Sequence, residues 1–225
     1  GYAIGKVFVQ ENEEIVVNDA KITDIGAEKD KMQKALDDSK AQLEVIKAKA
    51  EKEMGAEKAE VFEAHITLLD DPEFTGAMIM EIENNNVNGL KAIESVTNTF
   101  VAIFESMDNE YMRERAADIK DVSKRILSNF AGKGGDSFSI TENNTIVVAH
   151  DLTPSDTAGL DRTKVVGFIT DIGGRTSHAA IMARTLEIPA VLGLGDITTC
   201  VKTGDMIIVD GITGDVIINP SEEIL

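Results

Sequence analysis

The chain has no Trp, two Tyr and eight Phe among 225 residues. Any core must therefore be built from aliphatic side chains and from the eight Met. A single cysteine, Cys200, excludes an intrachain disulfide and fits a reducing compartment. Three scattered histidines, His65, His150 and His178, form no zinc-ligand spacing with it, so no metal site is expected. No apolar run is long enough to span a bilayer and no signal-peptide pattern is visible, so membrane insertion is not expected. Positive charge is also scarce: 22 Lys and Arg face 40 Asp and Glu, a formal net charge of −18. Such a field argues against nucleic acid and anionic membranes and favours a basic protein partner.

What the chain does contain is an ordinary 43% of hydrophobic residues, enough for one large or two modest domains. Residues 3–10 and 14–17 alternate with β-branched side chains and read as two short strands. The period then changes. Met32, Leu36, Leu43, Ile46 and Ala50 line one face of a helix over 28–54, and a helical pattern resumes over 56–69 after Gly55. Asp71-Pro72 supplies a cap and a first-turn proline for a third helix to about residue 84. Leu90, Ile93, Val96, Phe100, Ile103 and Met107 line a fourth; Met112, Ala116, Ile119, Ile126 and Phe130 line a fifth. Strands return over 145–149, 165–170, 190–192, 206–210 and 216–219, with helical stretches near 154–159 and 177–186.

The amino-terminal strands need a sheet to join, and the helical stretch offers none. They are expected to pair with the carboxyl-terminal strands. The fold expected is thus an α/β domain, residues 1–20 with 136–225, carrying an inserted all-helical bundle over 21–135. Linkers are expected near 18–26 and 132–136.

The densest chemistry lies in Gly173-Gly174-Arg175-Thr176-Ser177-His178, which opens a helical run. The glycines permit a tight turn, and a helix start offers unpaired N–H groups and the positive end of a dipole. Hydroxyls of Thr176 and Ser177 and the fork of Arg175 add donors for phosphate oxygens. A neutral imidazole in that setting suits a phosphoryl acceptor. These residues alone leave a second reading open, a glycine turn before a capped surface helix. Arg175 has one too, pairing with a surface carboxylate. His65 reads as a helix-surface or interface residue, and His150, after a strand, as one that caps or packs.

Residues 171–193 (DIGGRTSHAAIMARTLEIPAVLG) resemble the phosphohistidine signature of the enzyme I family, the phosphoenolpyruvate-protein phosphotransferases of bacterial sugar uptake. Residues 62–71 (FEAHITLLDD), 110–121 (EYMRERAADIKD) and 151–158 (DLTPSDTA) resemble further segments of that family in its order. The likeness covers essentially the whole chain but only the amino-terminal half of the family enzyme. It implies a swivelling phosphohistidine α/β domain with the helical block as a docking module. It implies His178 as the phosphoryl acceptor and Thr157 as the hydroxyl that meets it, although Thr157 also suits a helix cap near Pro154. Lys58 is implied as a further active-site residue.

The resemblance further implies that phosphoenolpyruvate and magnesium bind a separate carboxyl-terminal domain of the same enzyme, one this chain does not contain. No cofactor is then expected here, and the small carrier protein HPr is the expected partner. No P-loop or kinase loop is present, so ATP is not expected as donor. Such a fragment should not turn over phosphoenolpyruvate alone but should exchange phosphate with HPr. A cytoplasmic location follows from the same likeness, and dimerisation is expected to belong to the absent half.

Between Glu57 and Leu90 the only Lys or Arg is Lys58, among eight carboxylates. Most charge runs are solvated faces. Leu68 and Phe74 lie among these, however, and an apolar centre ringed by charge suits protein docking. The residues expected to meet HPr are Glu57, Glu63, His65, Leu68, Asp71, Glu73 and Phe74, with Met112 and Arg115 added by resemblance. Two alternatives compete. One is the phosphohistidine domain of a pyruvate phosphate dikinase or phosphoenolpyruvate synthase, which the helical insertion disfavours. The other is a non-catalytic acidic adaptor, disfavoured by the GGRTSH run.

Overall fold

A computed structural model describes residues 1–10, 15–133, 142–158, 160, 163–174 and 177–220. The chain divides into two compact units, Gly1–Glu13 with Asp136–Leu225, and Glu14–Gly135.

The first unit is α/β. Its elements are β1 (Tyr2–Val9), β2 (Thr145–Ala149), α6 (Pro154–Ala158), β3 (Val165–Thr170), α7 (His178–Leu186), β4 (Ala190–Val191), α8 (Ile197–Cys200), β5 (Met206–Asp210) and β6 (Val216–Ile218). The sheet order is β4-β3-β2-β1-β5-β6. Neighbours from β1 to β4 run parallel, while β5 is antiparallel to β1 and to β6. The central strand β2 is buried along its whole length, as a strand covered on both faces must be. Its side chains alternate between two clusters. Ile146 and Val148 join Val7, Ile169, Ile197 and Val209 on one face, while Val147 and Ala149 join Phe168, Ala179 and Ala183 on the other. The second face is therefore closed by α7, the helix that begins at His178.

The amino-terminal strand does what its need for partners requires, pairing with β2 and β5. Of the second strand expected over 14–17, residue 14 lies outside the described residues and no strand forms over 15–17. Residues 15–17 are irregular and Val16 is 77% exposed, so alternation found no partner edge to pair with. A short helix, α8, stands where no helix was expected.

The second unit is helical: α1 (Ile25–Met54), α2 (Ala56–Asp70), α3 (Pro72–Asn85), α4 (Gly89–Ser106) and α5 (Glu110–Phe130). Asp24 caps α1 through the Ala27 amide at 3.0 Å, and Asp71 caps α3 through the Glu73 amide at 2.9 Å. Between the first two helices Gly55 has φ +90, a conformation natural only to glycine. The core takes Met32, Leu36 and Leu43 from α1, Phe62, Ile66 and Leu69 from α2, and Phe74, Met78 and Ile82 from α3. Ile93 and Val96 of α4 and Ile119, Val122 and Ile126 of α5 complete it. Gly89 is there for space, since a Cβ would come within 2.1 Å of the Phe130 ring.

Three residues expected on a docking surface belong to this interior. His65 is fully buried, with Nε2 3.1 Å from an Asp118 carboxylate oxygen and its ring edge-to-face with Phe62. Phe74 is fully buried and packs edge-on against Phe100 at 5.4 Å between centroids. Leu68 is 7% exposed. A buried ring has no face left for a partner, so the helical period, not the acidic surroundings, decided these positions.

Candidate phosphohistidine site

Parallel strands deliver their following loops to one edge of the sheet, and in α/β folds that carboxyl edge is where ligands are bound. Here β1 leads into Gln10, β2 into His150, β3 into Asp171 and β4 into Leu192 and Gly193. Glycines make the turns possible. Gly173 has φ +120 and Gly193 φ +75, and a Cβ on Gly193 would lie 2.9 Å from the Gly173 carbonyl oxygen. The turn after β3 and the turn after β4 are thus in backbone contact at a place where only glycine fits.

His178 is the first residue of α7 and is half-buried. Ser177 caps the helix: its Oγ accepts from the Ala180 amide at 3.2 Å and donates to the Gly174 carbonyl at 2.7 Å. That double bond set fixes the glycine turn to the helix start, where the positive end of the dipole lies. The Oγ1 of Thr157, on α6, lies 2.8 Å from His178 Nε2 and 3.0 Å from the Pro154 carbonyl oxygen. A hydroxyl has one proton. When it donates to Pro154 it can only accept from the ring, so Nε2 carries the imidazole proton and the lone pair sits on Nδ1. Phosphorus reaching Nε2 instead requires the ring to leave Thr157 first.

The α6 turn that presents Thr157 is held in its own right. Asp156, buried, accepts from the Thr153 amide at 3.1 Å and from Gln10 Nε2 at 3.0 Å, while its own amide donates to Thr153 Oγ1 at 3.2 Å. This is a reciprocal helix-start box tied to the end of β1. Thr157 meets the histidine but is not the helix cap: Thr153 takes that position, and Thr157 lies inside the α6 turn with its hydroxyl on the Pro154 carbonyl.

Behind the glycine turn lies an ionic group that sequence reasoning missed. Asp171 is 4% exposed and accepts from Thr198 N at 3.0 Å, from Thr198 Oγ1 at 2.6 Å and from His150 Nδ1 at 3.0 Å. Burial alone would push its carboxyl up. The bonds from Thr198 and His150 outweigh that, and it titrates below the usual carboxylate range. An Asp directly after a predicted strand and before a glycine pair was the available signal. His150 neither caps nor packs as expected: its side chain is 60% exposed and reaches back to pair with Asp171.

Arg175 and Thr176 lie outside the described residues. Glu57, Lys58, Glu63, Asp71, Glu73, Met112 and Arg115 all lie in the helical unit. Glu57, Glu63 and Glu73 are exposed, and Glu63 pairs with Lys47 at 2.6 Å. Met112 and Arg115 are half-buried on α5, with the Arg115 guanidinium 5.9 Å from the Phe104 ring centre. Near them in the chain, Ile103, Met107 and Tyr111 are exposed, so apolar surface does exist around the α4–α5 turn. Among the described residues no three His, Cys, Asp or Glu side chains come together as a metal-binding group. Nor, among them, is any helix long and apolar enough to cross a membrane.

Residues 1–115 match the amino-terminal region of PEP-utilising enzymes, and residues 141–214 match their mobile domain. The NMR solution structure of Enzyme I (nEIt) protein superimposes with a TM-score of 0.87 at 46% identity, over 99% of this chain and 91% of that one. The chain belongs to the enzyme I family of PEP-utilising enzymes. Proteins called phosphoenolpyruvate-protein phosphotransferase from Staphylococcus carnosus and Priestia megaterium are each 49% identical to it, over 225 and 223 residues. It spans 39% of the length of those enzyme I relatives. The N-terminal domain of Enzyme 1 - Nitrogen, with a TM-score of 0.68 at 24% identity, shares the fold.

Proposed function

We propose that this chain is the phosphotransfer segment of a phosphoenolpyruvate-protein phosphotransferase, with His178 as the residue that carries the phosphoryl group. The observation that carries the reading is the Thr157–His178 contact at the carboxyl edge of the parallel strands. A hydrogen bond at Nε2 orients the ring and favours one tautomer, which is what a nitrogen nucleophile needs. The helix start then favours the anion that forms. Gly173, Gly174 and Ser177 shape the turn, and Arg175, Thr176 and Lys58 are assigned to the phosphate by their chemistry and by family likeness.

In this reading the phosphoryl group comes from phosphoenolpyruvate, bound with magnesium in the part of the enzyme beyond this chain. It leaves to a histidine of HPr, a cytoplasmic carrier. Each transfer breaks one bond to phosphorus and makes one P–N bond, with the lone pair of the attacking nitrogen forming it. The helical unit docks HPr through Glu57, Glu63, Asp71 and Glu73, and through Met112, Arg115 and the exposed apolar residues of the α4–α5 turn. The acidic charge of the chain supports a basic partner of this kind.

The test is to mix the chain with HPr phosphorylated on its histidine and map the phosphate by peptide mass. An acid-labile, base-stable phosphate on the peptide that holds His178 is expected. Phosphate on any other residue would refute the assignment.

A further inference from the structure

We propose that His150 is a positioning residue for the phosphotransfer site, acting through Asp171 to hold the glycine turn that leads to His178; this rests on the reading of His178 as acceptor. The ring is 60% exposed, yet its Nδ1 is turned inward to a carboxylate that is 4% exposed. That carboxylate is a junction. The Asp171 amide donates to the Ala149 carbonyl at 3.1 Å, and the Ile172 amide to the His150 carbonyl at 3.1 Å, extending the β2–β3 pairing past both strand ends. The Gly195 amide donates to the Asp171 carbonyl at 2.8 Å, and Thr198 on α8 supplies two bonds to its side chain. Asp171 is thereby fixed from β2, from the turn after β4 and from α8 together.

From this junction the chain passes through Ile172 to Gly173, whose Cα region lies against Ser177: a Cβ there would be 3.4 Å from Ser177 Oγ. Ser177 bonds Gly174 and precedes His178. A rotation of the Asp171 side chain is therefore passed on to the turn that sets the direction of the His178 ring. A buried ionised carboxylate holds its orientation only while its lone pairs are met by donors. Among the described residues three donor groups reach the carboxylate, two of them on Thr198, and His150 is the one that reaches it from the β2 side, beside the backbone pairing. The role needs a donor and not a positive charge, since the neutral ring with its proton on Nδ1 donates as well as the charged one. Asn at position 150 carries an amide nitrogen close to where Nδ1 lies and should replace it.

The experiment compares the full chain with His150→Ala and His150→Asn in single-turnover phosphate uptake from HPr phosphorylated on its histidine. His150→Ala should lower the rate at saturating carrier on the order of tenfold, with half-saturation unchanged. His150→Asn should return to within about twofold of the parent. An unaltered rate in His150→Ala, or a His150→Asn variant as slow as His150→Ala, overturns the proposal. Imidazole 15N spectra of the unphosphorylated chains provide a readout that needs no transfer. The His178 signals should shift in His150→Ala and return in His150→Asn, and signals that do not move also overturn it. If the parent takes no phosphate, the acceptor reading fails while the spectra still decide the role of His150. Should His150→Ala not fold, Thr198→Val, which keeps the amide bond to Asp171 and loses the hydroxyl, is expected to shift the same signals.

Discussion

A neutral imidazole has one lone pair to offer, and while the Thr157 hydroxyl, 2.8 Å from His178 Nε2, donates to Pro154, that lone pair lies on Nδ1. Thr157→Val should slow single-turnover transfer by about one to two powers of ten, since a bond to a ring that becomes charged is worth roughly 1–3 kcal/mol. Affinity for HPr, measured by titration calorimetry, should not change, because Thr157 lies on α6 in the α/β unit. An equal loss in rate and affinity would contradict the assignment. Asp171 gives a prediction in pH. Its folded carboxyl titrates below the ordinary value of about 3.9, so its ionisation stabilises the fold above roughly pH 4. That contribution disappears as pH falls through the folded value. Urea midpoints measured from neutral to acid should fall less steeply in Asp171→Asn than in the parent. Parallel curves would show that the carboxylate contributes nothing.

At the scale of elements, one glycine and one phenylalanine carry the sharpest expectations. Gly193→Ala places a Cβ 2.9 Å from the Gly173 carbonyl at φ +75, so the turn must move. Phosphate uptake should drop at least as far as thermal stability, read by comparing single-turnover rate with the melting temperature. Phe74→Ala should cost about 3–5 kcal/mol of stability in the helical unit, as large-to-small changes in a core do. A stable Phe74→Ala variant that lost only HPr binding would return this ring to the docking surface. The burial of Phe74 was readable in the sequence: positions 74, 78 and 82 recur every four residues, and all three are fully buried. Acidic neighbours drew attention to a surface that the period had already placed inside. His65 lies on a similar stripe with Phe62, Ile66 and Leu69, but its partner Asp118 is 53 residues away and no local pattern announces it. The five helices and most strands were legible because long periodic segments advertise themselves. The four residues of α8 are fewer than two turns and show no period, and so Thr198 and its bond to Asp171 stayed hidden.

For the whole molecule, charge and connectivity organise the account. A chain with a formal net charge of −18 should meet a basic carrier faster at low salt. Association rates measured by stopped flow should fall as ionic strength rises, since exposed charges are screened within about 8 Å under physiological conditions. His178, the proposed acceptor, with Thr157 and the Asp171 junction, lies in the α/β unit, while the acidic run belongs to the helical one. The chain spans 39% of its relatives' length, and the proposed function places chemistry with phosphoenolpyruvate in the remainder and exchange with the carrier in this part. The measurement that bears most directly on this division is phosphate equilibration between the isolated chain and phosphorylated HPr, followed in both directions by 31P NMR. One phosphate per chain on a histidine nitrogen, returned to fresh HPr and absent in a folded His178→Ala variant, is the predicted result. A His178→Ala variant that still equilibrates phosphate with the carrier would contradict the account.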